Sequence, residues 1–254
     1  MTRTPGKVYL VGAGPGAPEL ITLRGADVLQ RADIVFHDAL VHPGTLALAE
    51  RAEKIAVGKR CGRHSTVQQF INKRLVDAAR KYRTVVRLKG GDPMLFGRAQ
   101  EEIAALQAAH IEYEVVPGVT AALSAGAELG ISLTQRGVAR SVAFVTPRVG
   151  VGQPANDWVK SVAAADTAVI YMGAGEAAEI AATLIAHGVP RDTPAAIVEN
   201  ASLPHARHFT MPLIDLGRAA EFGIMGPAVI MLGRVFAAAR EAALDADEPQ
   251  AATA

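Results

Sequence analysis

Short apolar runs that stop at glycine-rich loops restrict this chain to an open α/β sheet with its ligand loops at strand ends. Val8-Tyr9-Leu10-Val11 runs into Gly12-Ala13-Gly14-Pro15-Gly16, and Val85-Val86-Arg87-Leu88 runs into Lys89-Gly90-Gly91-Asp92-Pro93. In such sheets ligands sit outside the carboxyl ends of the strands. Glycine lets backbone approach a ligand closely, and an aspartate adds an acceptor for an amine or hydroxyl. Two loops of this kind imply an enzyme of small molecules.

Helical patterns separate the runs. Residues 22–32 carry Leu23, Ala26 and Leu29 on one helical face, and the strand 33–36 ends at His37-Asp38. Ser65-Thr66-Val67-Gln68 reads as a capping box ahead of a stripe formed by Val67, Phe70, Ile71, Leu75 and Ala78. A strand at 85–88, a helix at 98–109 and a strand at 113–116 follow, the last stopped by Pro117-Gly118. Strands are expected at 142–145, 168–172, 195–198 and 228–232, with a helix over 176–187 closed by Gly188 and Pro190. Alternation throughout implies parallel pairing by right-handed crossovers. The expected division is an α/β domain over 1–117, a second over 118–240 and a frayed tail over 241–254.

Composition narrows the function classes. Half of the 254 residues are hydrophobic and 20% are charged, the balance of an ordinary folded chain. Lys+Arg 26 against Asp+Glu 25 leaves a net charge of +1, which argues against a general nucleic-acid binder. Cys61 is the single cysteine, the amino terminus shows no apolar signal region, and the longest strand-sized apolar run, 228–232, is too short for a bilayer. A cytoplasmic protein without membrane or nucleic-acid partners is expected. No metal site is expected either: His205-x-x-His208 follows Pro204 without a third ligand.

Gly12-x-Gly14-x-x-Ala17 formally fits the dinucleotide fingerprint, with Asp38 about where its acidic partner belongs. Pro15 and Pro18 remove amides from the loop that would cradle a pyrophosphate, which disfavours that reading. Asp38 and Lys59 each follow a short apolar run. By spacing alone a turn aspartate and a surface lysine are the plainer reading, and a proton-transfer pair the sharper one. Arg60, Arg63, Arg87, Lys89, Arg98, Arg136, Arg140 and Arg148 gather around the glycine loops. Guanidinium groups hold carboxylates bidentately, so the cluster suits a polycarboxylate ligand, although any one of these arginines is as readily paired with a neighbouring acid.

Taken in order, the segments resemble the uroporphyrinogen-III C-methyltransferases of the tetrapyrrole methylase superfamily. They are Val8-Tyr-Leu-Val-Gly-Ala-Gly-Pro-Gly16, His37-Asp-Ala-Leu40, Val57-Gly-Lys-Arg60 and Arg87-Leu-Lys-Gly-Gly-Asp-Pro93. Phe96-Gly-Arg98, Val115-Val-Pro-Gly-Val-Thr-Ala121, Ile170-Tyr-Met-Gly173 and Ile197-Val-Glu-Asn-Ala201 continue the match, which spans about 6–238. The resemblance implies two α/β domains with an active-site trough between them, as in class III methyltransferases, and a homodimer. It implies S-adenosylmethionine (SAM) as methyl donor, leaving as S-adenosylhomocysteine. Carried over by motif, donor contacts fall to Pro15, Gly90, Gly91, Asp92, Leu95, Thr120, Ala121, Met172 and Ala201. The proton acceptor maps to Asp38 and the proton donor to Lys59, which favours the sharper reading of that pair.

The implied reaction is methylation of uroporphyrinogen III at C-2 and then C-7, through precorrin-1 to precorrin-2, toward sirohaem or cobalamin. Its carboxylates give Arg60, Arg63, Arg98 and Arg136 a role in substrate binding. Gln135 stands where the family commonly has histidine, Thr146-Pro147-Arg148 replaces Thr-Gly-His, and Ala99-Gln100 replaces two glycines. A methyltransferase of a later precorrin shares the donor loops, and a non-catalytic tetrapyrrole-binding protein would share the substrate surface.

Overall fold

A computed structural model describes residues 4–57, 64–150, 152, 154 and 156–237, with backbone alone at 64–67. The chain divides into two compact units, Met1–Ala121 and Ala122–Ala254.

The first unit is built on a five-stranded sheet in the order β3-β2-β4-β1-β5. Its strands are β1 (Lys7–Gly12), β2 (Ile34–His37), β3 (Glu53–Ala56), β4 (Thr84–Lys89) and β5 (Tyr113–Val116). All four pairings are parallel. The connecting helices are α1 (Leu23–Gln30), α2 (Pro43–Ala47), α3 (His64–Ala79) and α4 (Ala99–Ala108). Both faces are covered, as parallel sheets require. Val8, Leu10 and Phe36 pack with Leu75 and Leu106 on one side, while Val11, Val35 and Leu88 pack with Val28 and Leu29 on the other. Each such side chain withdrawn from water contributes about 1.5–3 kcal/mol.

Two predicted helical faces are turned from their expected positions. In α1, Gly25, Val28 and Leu29 are buried while Leu23 lies fully exposed. The Thr22 hydroxyl accepts the Gly25 N–H at 3.1 Å, and this cap sets where the helix begins. In α3, Ile71, Leu75 and Ala78 face the core, but Phe70 is exposed beneath the Arg74 guanidinium. The side chains of the predicted capping box at 65–67 lie outside the described residues.

The second unit departs from the predicted pairing. Its sheet has the order β6-β7-β10-β8-β9, formed by β6 (Val142–Val145), β7 (Thr167–Tyr171), β8 (Pro194–Glu199), β9 (Arg207–Pro212) and β10 (Ala228–Gly233). Only β6 and β7 pair in parallel; β7–β10, β10–β8 and β8–β9 are antiparallel. The helices are α5 (Ala121–Leu129), which starts at the division, α6 (Trp158–Ala164) and α7 (Ala177–Ala186). The expected crossovers fail because β8 and β9 are joined without a helix. The 3-10 stretch Leu213–Phe222 then packs on α7, and β10 returns to the middle of the sheet. Strand β9 escapes sequence reading because it is a polar, half-exposed edge, and the same strand takes His208 out of any helical pairing with His205. Among the described residues no helix is long and apolar enough to cross a membrane.

Candidate active site

Because the first sheet is wholly parallel, the carboxyl ends of β1, β2, β4 and β5 open on one edge. The loops there touch backbone to backbone. Gly14 and Gly91 exchange hydrogen bonds, Gly91 N–H to Gly14 O at 2.7 Å and Gly14 N–H to Gly91 O at 3.2 Å. Gly118 lies so close to both loops that a Cβ on it would stand 2.3 Å from Gly91 O and 2.8 Å from Gly12 Cα. Gly91 has φ +66°, a conformation open to glycine, and a Cβ there would find nothing nearer than Thr120 Cα at 3.9 Å. Asp92 knots these loops together. Its Oδ1 accepts the Met94 N–H at 2.8 Å and its Oδ2 the Gly118 N–H at 2.9 Å. The residue expected to offer its carboxylate outward also organises the backbone around it. Pro15, Leu95, Thr120 and Ala121 lie half-buried on these same loops.

Asp38 closes β2 beside this cluster: its N–H donates to Leu88 O at 3.2 Å, and a Cβ on Gly90 would meet Leu40 Cβ at 3.6 Å. Its carboxylate is held from beneath. Arg87, almost wholly buried on β4, donates from Nη2 to Asp38 Oδ1 at 2.5 Å and from Nε to Glu102 Oε1 at 2.9 Å. Its Nη1 reaches the carbonyls of Leu88 at 3.1 Å and Phe36 at 3.5 Å. Lys89 donates to both Glu102 oxygens at 3.2 and 3.1 Å, and Gln68 Nε2 donates to Glu102 Oε1 at 3.3 Å. Burial works against the Arg87 charge, but the carboxylates of Asp38 and Glu102 outweigh it and hold the guanidinium above its ordinary range. Burial, then repulsion from Arg87, lowers Lys89 despite Glu102.

Arg87 and Lys89 therefore leave the arginine cluster inferred from the sequence: their charges are spent inside the protein. Glu102, fully buried at the centre, escaped sequence reading. The signal was present, since Ala99, Glu102, Ile103 and Leu106 share the buried face of α4 and an acid on such a face needs cations. Arg98 is exposed and paired with Glu101 at 2.7 Å, and Arg136 is exposed on the short hairpin closed by Gln135 and Ala139. Lys59, Arg60 and Arg63 lie outside the described residues, as does the predicted tail.

In the second unit, β7 and β8 both run antiparallel to β10, so their carboxyl ends share one edge of that sheet. Met172 follows β7 and Ala201 follows β8. Met172 has φ +58°, and Ala201 is flanked by Asn200 at +53° and Ser202 at +73°. Beyond these, Phe96, Arg98 and His110 complete the described non-glycine residues with positive φ. Four of the six thus fall in the segments singled out by motif and Ser202 directly follows one, and strain of about 1–3 kcal/mol each persists where surroundings enforce it. Glu199 supplies that enforcement beside Ala201. Its Oε1 accepts the N–H groups of Met225 at 2.7 Å and Gly226 at 2.6 Å, and its Oε2 accepts from Arg207 Nε at 2.8 Å.

The tetrapyrrole (corrin/porphyrin) methylase family model matches residues 7–217, a span that takes in the first sheet, β6 to β9 of the second, and the glycine loops described above. The chain belongs to the tetrapyrrole methylases. A siroheme synthase of Pseudomonas fluorescens is 46% identical over 234 residues, covering 91% of this chain and 50% of that protein. The chain spans about half the length of the curated relatives it matches. Among solved structures, uroporphyrin-III C-methyltransferase from Thermus thermophilus complexed with S-adenosyl homocysteine is 38% identical with a TM-score of 0.80, over 92% of this chain and 100% of that one. A cobalt precorrin-4 methyltransferase is 27% identical with a TM-score of 0.79, over 91% and 95%. The likeness of fold is thus equal for the two structures while the identity differs.

Proposed function

We propose that this chain transfers methyl groups from SAM to uroporphyrinogen III, at C-2 and then C-7, giving precorrin-2 through precorrin-1. The observation that carries the reading is the adjacency of a carboxylate and an open glycine loop: Asp38 stands beside Gly90-Gly91, clamped by Arg87. Greater identity to the uroporphyrin-III enzyme than to the precorrin-4 enzyme, at equal likeness of fold, supports this substrate over a later one.

The chain's loops fit a nucleoside-bearing donor. A Cβ on Gly90 or Gly91 would meet nothing nearer than Leu40 Cβ at 3.6 Å or Thr120 Cα at 3.9 Å, and Pro15, Asp92, Leu95, Thr120 and Ala121 belong to the same or adjoining loops. Met172 and Ala201, carried over by motif, are also proposed donor contacts. SAM, when bound, supplies a methyl group already activated on sulfonium sulfur. The protein's contribution is then alignment, which can account for about 7–11 kcal/mol of a barrier. After transfer the macrocycle must lose a proton, and Asp38, held in place by Arg87, takes it. Lys59 is the proposed proton donor, and Arg60, Arg63, Arg98 and Arg136 the proposed carriers of substrate carboxylates. The enzyme is further proposed to act as a cytoplasmic homodimer.

Anaerobic incubation with SAM and uroporphyrinogen III, followed by mass spectrometry, tests the reading. The expected product carries two added methyl groups. Methyl gain only on a later precorrin, or tight tetrapyrrole binding with no methyl gain at all, overturns it.

A further inference from the structure

Glu102 sits within the first unit with no exposed surface, on a helix that otherwise offers this face only apolar side chains. Burying a carboxylate is costly unless every lone pair is answered, and here Arg87, Lys89 and Gln68 answer it. The surrounding charges balance pairwise. Glu102 and Lys89 form one pair and Asp38 and Arg87 the other, with Arg87 bridging them through different nitrogens. Exposure falls steeply along the chain of contacts, from 32% for the Asp38 side chain to 3% for Arg87 and 0% for Glu102. The outermost carboxylate meets solvent, and the innermost anchors it.

We propose that Glu102 is a positioning residue: by holding Arg87 Nε it orients the Nη2 that fixes the Asp38 carboxylate, and by neutralising Lys89 it sets the charge Asp38 experiences. The inference rests on the reading of Asp38 as proton acceptor. Among the described residues, the charged and titratable groups around Asp38 are His37 on its own strand, whose Nδ1 lies 3.1 Å from the Asp38 carbonyl, Arg87 and Lys89 on β4, and Glu102 on α4. Remove the Glu102 charge and two cations face one carboxylate, which makes Asp38 a weaker base. Remove the Lys89 charge and two carboxylates share one guanidinium, which makes it a stronger one. A side chain that merely fills space does neither.

The test uses the full chain and four variants: Glu102→Gln, Lys89→Met, the double variant Glu102→Gln/Lys89→Met, and Asp38→Asn. For each, kcat is followed against pH with SAM and uroporphyrinogen III, SAM affinity by calorimetry and folding by thermal melting. In Glu102→Gln, kcat falls by roughly 10-fold to 100-fold, the scale of a small misplacement, while SAM affinity is retained. The acidic limb of its kcat profile moves to lower pH, whereas that of Lys89→Met moves to higher pH. The double variant, again balanced in charge, recovers most of the lost kcat, the coupling expected of residues in one network. If Glu102→Gln fails to fold, the Lys89→Met limb and the double variant carry the test. Limbs that stay in place or move in the same direction, with kcat unchanged among folded variants, overturn the role of Glu102. Full turnover in Asp38→Asn overturns the reading of Asp38 itself, whatever the other variants do.

Discussion

In the first unit every strand pairing is parallel, and the loops that matter meet through backbone contacts around Gly12, Gly14, Gly91 and Gly118. In the second unit three of the four pairings are antiparallel, and the corresponding positions are side-chain-bearing residues held at positive φ. A parallel sheet delivers all its carboxyl ends to one edge, so glycine suffices to let the loops close on one another. The mixed sheet delivers only part of its loops to one edge, and there Met172, Asn200 and Ser202 take positive φ. Carboxylates differ in the same way. Glu102 is matched by two buried cations, whereas Glu199 is matched by backbone N–H groups and by Arg207, whose side chain is half in solvent.

The contrast can be broken most severely at Gly118. A Gly118→Ala methyl has no space against the Gly91 carbonyl, and the neighbour is backbone, so loss of the folded first unit is expected by thermal melting and circular dichroism. Gly175→Ala, which meets open space in the second unit, should change stability by less than about 0.5 kcal/mol. Next in size, Asp38→Asn keeps a partner for Arg87 but not a base. Turnover should fall about 100-fold to 10,000-fold with SAM affinity intact, and calorimetry beside the methylation assay separates the two effects.

Denaturant titration of paired carboxylate variants sharpens the comparison further. Glu102→Gln should cost about 3–5 kcal/mol, because buried cations lose their counter-charge. Glu199→Gln should cost about 1–3 kcal/mol, since Arg207 can turn to water and the amides keep an acceptor. Acidification makes a milder break at the same second-unit site. Burial alone would raise the Glu199 carboxyl, but the Gly226 amide, Arg207 and the Met225 amide together hold it below its ordinary value of 4.5. A carboxylate depressed on folding contributes stability above that ordinary value and loses it as pH falls. The melting temperature should therefore drop more steeply on acidification in the parent protein than in Glu199→Gln; parallel curves would remove Glu199 from the acid response. The smallest change is expected at His110, whose φ of +53° lies outside the motif segments. His110→Gly should stabilise by up to about 1 kcal/mol, whereas Asn200→Gly, beside Ala201, should lower turnover whatever it does to stability.

Much of the first unit is legible in order of residues alone. Apolar runs ending in glycine mark β1 and β4, and Pro117-Gly118 marks the end of β5, because backbone geometry at a strand end leaves a local trace. The glycine loops that follow these strands are legible for the same reason. Strand β9 and the antiparallel pairing are not, since direction depends on which distant strand accepts each edge. The fates of Arg87 and Lys89 are equally hidden. Arg87 within the predicted strand and Lys89 just after it both look like ordinary surface cations, and only the packing of α4 over β4 brings Glu102 beneath them.

Sequence by itself determined the α/β class, the glycine loops and the identity of Asp38 as a strand-end carboxylate, all features written in contiguous residues. Tertiary structure decided which charges are available for chemistry. Two cations that a linear reading offers to a polycarboxylate substrate are withdrawn into the protein, where solvent screens them little and the carboxylates of Glu102 and Asp38 balance them.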